Sequence, residues 1–160
     1  MRNTARPEEL RAFESGGLDP AQFPHAEHLR FGYEMLNRYS FGEAVSRFSA
    51  GLKLLAAKAG KPEVYHETIT VAFLALINER RARDKTQAWP EFKHDNADLF
   101  DKRCLERWYG AEQLGSELAR RAFCLPTLPP APLVRRPRAS LASRETPRKG
   151  AGLRSRVAAG

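Results

Sequence analysis

Long hydrophobic runs are missing from this chain. The longest, Val71–Ile77, spans seven residues, far below the roughly 18 to 20 that cross a bilayer, so no membrane association through a span is expected. The opening residues, MRNTARPEEL, hold no apolar signal-peptide core, and no secretory signal is expected. Cysteine is scarce. Cys104 and Cys124 have neither CxxC spacing nor a disulfide-rich context, which points to free thiols in a reducing compartment and a cytoplasmic protein. Strand signals are equally sparse: period-two alternation and Asn-Gly or Asp-Gly hairpin turns are absent, which argues against a sheet. No glycine-rich phosphate loop, Walker motif or GxSxG elbow occurs.

What the chain has in excess is positive charge, and it is unevenly placed. From Pro126 onward, eight basic residues (Arg135, Arg136, Arg138, Arg144, Arg148, Lys149, Arg154 and Arg156) face one acid, Glu145. This tail holds +7 of the net charge of +8, so residues 1–125 are nearly neutral. Rich in Pro, Arg, Ala, Ser and Gly and without an aromatic residue, it cannot bury enough apolar surface to offset chain entropy, and it reads as disordered. Its arginines permit association with nucleic acid. The lack of aromatics to stack on bases argues instead for a solvated extension.

Helical signals repeat along residues 1–125. PEELRAFE, Pro7–Glu14, is compatible with a short helix in an N-terminal segment 1–17, and SGGLDP, Ser15–Pro20, is a loop. Pro24 suits the first position of a helix to about Tyr39, whose face carries His25, Leu29, Gly32 and Leu36 with His28 beside them. Ser40 and Glu43 form a capping box. The stripe Phe41, Val45, Phe48, Leu52, Leu55 and Ala59 then runs to a stop at Gly60 and Pro62. The third long helix is expected from Pro62 to about Arg83; apolar nearly all round, it belongs at the centre. Shorter helices follow from about Pro90, from an Asp98 cap through Trp108, and from Ser116. The expected fold is all-α, a compact bundle of five or six helices over residues 18–125 with the tail at 126–160.

Connections this short make consecutive helices antiparallel neighbours. The first and third long helices then run parallel, with His25, His28, His66 and Glu67 at one end of the bundle. Three chemistries fit such a group. Histidines three apart on one helix, with a His-Glu pair from another, have the ligand types for a divalent metal ion. Two helix N-termini with adjacent histidines suit a small molecule or anion, with Tyr65, Thr68 and Thr70 as supporting groups. The third is a satisfied polar cap on the core, structural only. HETIT is not a zinc-protease signature, because Thr70 stands where HExxH needs histidine. His94 follows at the opposite end and is not expected to join.

The stretches FPHAEHLR (Phe23–Arg30), YHETIT (Tyr65–Thr70), WPEF (Trp89–Phe92), ERWYG (Glu106–Gly110) and SELARRAF (Ser116–Phe123) carry a resemblance over roughly residues 13–132. On them the chain resembles a family of small bacterial helical proteins of unknown function. The resemblance implies a helical fold and no activity. The family's acidic Glu-Pro-Asp-Leu stretch is replaced here by Leu125–Leu128. The functional expectation is a metal or small-ligand site at His25, His28, His66 and Glu67. The alternatives are an interaction or scaffold module with a structural His/Glu cluster, and a nucleic-acid binder acting through the tail. Partners are accordingly a small molecule or another protein.

Overall fold

The first two helices begin at Pro7 and just after Pro24, and Ser40 caps the third by accepting from the Glu43 amide at 3.4 Å. The computed structural model describes residues 5–83 and 88–127. In chain order α1 is Pro7–Glu14, α2 His25–Arg38, α3 Phe41–Lys58, α4 Glu67–Arg83, α5 Trp89–Asp95, α6 Ala111–Gly115 and α7 Glu117–Arg121. Single 3-10 segments lie at Pro20–Gln22, Pro62–Val64, Ala97–Phe100 and Lys102–Arg107. No strand occurs among the described residues, and the fold is all-α. Apart from Pro126 and Thr127, the basic tail lies outside the described residues.

The three-helix arrangement can be read from side-chain pairings. Along α2 and α4, His25 meets Phe73 with ring centroids 5.0 Å apart, and the Gly32 backbone lies against Leu74 and Ile77. Farther on, Arg81 donates to Asn37 at 2.9 Å. The pairing advances in the same direction on both helices, so they run parallel. Helix α3 runs against both: Arg47 lies over the Tyr39 ring at its start, and Lys53 pairs with Glu67 at 3.5 Å. Gly32 permits the close approach of α2 to α4, since a Cβ there would stand 2.9 Å from Leu74.

The N-terminal segment is part of this core rather than an appendage. Phe13 of α1 is fully buried, with Phe23, Phe31 and Phe48 at 5.2, 5.4 and 5.2 Å between ring centroids. Burying such a ring contributes about 3 kcal/mol. Gly51 makes room for it: a Cβ there would lie 2.5 Å from the Phe13 ring. In the first half of α2, Arg30 is almost fully buried, donates to Glu27, and lies 3.5 Å from Glu9 of α1.

Three boundaries differ from the sequence reading, each for a local reason. Pro62–Val64 is a separate turn, because Tyr65 is extended (ψ 140°) and breaks the path. Helix α4 therefore starts at Glu67, with His66 before it. Asp98 does not cap a long helix, because it is held by Arg80 at 2.6 and 2.8 Å and by Arg107 at 3.1 Å. Asp101 caps the following segment instead, accepting from the Arg103 amide at 2.9 Å. The C-terminal third is thus broken into short pieces, and the described part of residues 18–125 holds six α-helices, α2 to α7, within the five or six expected.

Candidate ligand-binding cleft

Where α2 and α4 begin, they do not close on one another. Between them and α3 lies a cleft of about 370 Å³, lined among others by Phe23, His28, Leu52, Tyr65, His66 and Thr70. Pro20, Leu55, Ala56, Ala59, Val64 and Ile69 complete its walls. Beneath it sits a small inner chamber of about 60 Å³, sharing His28, Leu52, Ile69 and Thr70 with the cleft and adding His25 and Phe73. The size is within the roughly 300–1,000 Å³ usual for small-molecule sites. Among the described residues lining the two spaces there is no Asp, Glu, Lys or Arg.

His28 stands on the wall between the two spaces. Its ring lies 4.9 Å from that of Phe23 and 6.3 Å from that of His25. Burial holds its imidazole at about 4, helped by His25 and Lys102 and opposed by a hydrogen bond to the Phe23 backbone. At neutral pH it is therefore uncharged. With one ring N–H engaged by the Phe23 carbonyl, its other ring nitrogen is a lone-pair acceptor. His25 is also shifted down, by burial and then Lys102, against the Leu99 carbonyl. Its Nε2 donates to that carbonyl at 2.9 Å.

His66 has a different task. Its Nδ1 accepts from the Ile69 amide at 3.3 Å and its Nε2 donates to the Leu114 carbonyl at 2.9 Å. The Thr70 amide completes the first turn by bonding the His66 carbonyl at 3.0 Å. His66 is the N-cap of α4, with both ring nitrogens engaged. Glu67 turns away from the cleft. It accepts from the Tyr65 hydroxyl at 2.7 Å and pairs with Lys53, in a shallow surface hollow shared with Arg120 and Arg121. Burial, and then Glu67, push the Tyr65 phenol up to about 12. Thr68 is fully buried on another face, donating to the Ala122 carbonyl at 2.7 Å and accepting from the Cys124 amide at 3.0 Å.

Of the expected site residues, His25, His28, His66, Tyr65 and Thr70 thus line connected space, while Glu67 and Thr68 do not. The four groups His25, His28, His66 and Glu67 do not converge on one point. Among the described residues, no three His, Cys, Asp or Glu side chains stand where they could hold a metal ion. His94 is exposed and pairs with Asp95. Cys104 and Cys124 are free thiols.

Sequence reasoning missed the apolar members that make the cleft, Leu52, Ile69 and Phe23, because apolar residues at helical spacing read as core. Leu52 and Ile69 belong to that pattern and were left half-buried by the gap. No family model, curated protein or solved structure matches the chain. No described helix is long and apolar enough to cross a membrane.

Proposed function

We propose that this protein binds a small organic molecule in the cleft between α3 and the starts of α2 and α4. The observation that carries the reading is a sizeable, mainly apolar cleft with a neutral, acceptor-bearing histidine on its wall. Few polar groups in a concave apolar surface are the usual pattern of such sites. The ligand form of the sequence expectation is favoured over the metal form by the donor geometry: His66 has both nitrogens engaged and Glu67 faces elsewhere. For those two residues a structural role is the better-supported one. Cytoplasmic placement and the motif likeness to small bacterial helical proteins belong to the same proposal.

A fragment screen by ligand-observed NMR tests it, run on the parent and on Ala59→Trp. Ala59 is exposed on the cleft wall, so tryptophan there fills the opening without entering the core. Fragments should bind the parent and lose binding to a variant of unchanged melting temperature. Equal binding to both, or no binding to the parent, overturns the proposal.

A further inference from the structure

We infer that the occupant of the cleft is an uncharged molecule with a compact apolar end and a hydroxyl or amide N–H that donates to His28. This rests on the reading that the cleft is a binding site, and it names the ligand class.

The lining sets the class. A carboxylate or ammonium entering the cleft would surrender its hydration with no opposite charge among the described lining residues. Moving an unpaired ion into such surroundings is strongly unfavourable. The Lys53–Glu67 pair is self-neutralised in a separate hollow with Tyr65, and Lys102, which acts on His25 and His28 from a distance, does not line either space. The α4 N-terminus does not offer its third amide to an anion, because His66 Nδ1 already takes it. A wholly apolar ligand would offer no partner to the free ring nitrogen of His28, which lines both spaces. What fits is a donor on an otherwise neutral body.

The inner chamber sets the shape. Leu29, Phe48, Phe73, Leu74 and Ile77 close it, and its space of about 60 Å³ admits only a few carbon atoms. The wider cleft outside accepts the remainder. His28 and Thr70 lie on the wall common to both. The donor therefore belongs at the junction of the small end and the larger body.

A matched series separates this inference from the reading beneath it: toluene, benzyl alcohol, benzoate and benzylamine, titrated near neutral pH and followed by amide shifts of the ¹⁵N-labelled full-length protein. Benzyl alcohol should bind about three- to tenfold more tightly than toluene, the range of one hydrogen bond. In His28→Phe that preference should vanish while toluene still binds. Benzoate or benzylamine binding more tightly than benzyl alcohol, with shifts at Leu52 and Ile69, overturns the uncharged class and leaves the cleft as a site. A benzyl alcohol preference that survives in His28→Phe overturns the role of His28. Failure of all four probes to shift cleft residues counts against both readings.

Discussion

Replacing His28 by phenylalanine isolates the energy of keeping an imidazole neutral inside the bundle. The ordinary value of 6.5 describes the unfolded chain, whereas the folded value is about 4. The native state therefore binds this proton less readily than the unfolded state. The stability it contributes is complete above 6.5 and is lost as pH falls toward 4. From about pH 8 to about pH 5, linkage gives a loss of about 2 kcal/mol from this one group. His25 is shifted in the same direction and adds to the loss. Phenylalanine keeps the packing on Phe23 but cannot take up a proton. It forfeits the hydrogen bond to the Phe23 carbonyl, at a pH-independent cost of about 1 kcal/mol. Urea unfolding of both proteins at a series of pH values checks this. His28→Phe should be slightly less stable near pH 8 and should lose about 2 kcal/mol less than the parent on going to pH 5. Parallel pH profiles would refute a neutral, half-buried His28, and with it the acceptor on the cleft wall.

Other perturbations probe the frame around the cleft. Gly51→Ala drives a Cβ to within 2.5 Å of the Phe13 ring and should cost about 1–3 kcal/mol in chemical unfolding; a neutral outcome would mean that α1 is not seated there. Thr68→Val removes both hydrogen bonds that hold Ala122 and Cys124 to α4. It should cost about 1–3 kcal/mol and speed hydrogen exchange at the Cys124 amide, and unchanged exchange would contradict the contact. Glu34 is buried with Oε1 lacking a hydrogen-bond partner, and burial raises its carboxyl above 4.5, against Arg38 and Arg30. Its contribution is therefore full below about pH 4.5 and declines as pH rises through the folded value. Glu34→Gln should match or exceed the parent in thermal stability near neutral pH, and a marked drop in melting temperature would count against it.

The legible parts of the fold were those set by local chemistry. Ser40 accepts from Glu43 and Ser116 from Ala119, as their spacing predicts. The short links after α2 and α3 were enough to place His25 and His28 at the same end as His66. Illegible parts depended on partners distant in sequence. His66 and Glu67 are adjacent, yet the α4 helical path directs them to opposite tasks, and His66 finds its second partner at Leu114. Proline at 62 was an ambiguous start signal, since it opens a single turn as readily as a long helix. Arg30 and Glu34 carry no local signal for burial. They are buried, and α1 supplies Glu9 beside Arg30. The cleft itself is a gap between side chains of ordinary core type, which no residue pattern announces.

The central claim is that the space beside His28 is a binding site rather than a packing gap. A crystal structure of the protein grown with saturating benzyl alcohol tests it most directly. The account predicts density between Leu52 and Ile69, with the hydroxyl within hydrogen-bonding distance of the His28 ring. A cleft that stays empty or closes by side-chain rearrangement, with the alcohol bound elsewhere, would contradict it.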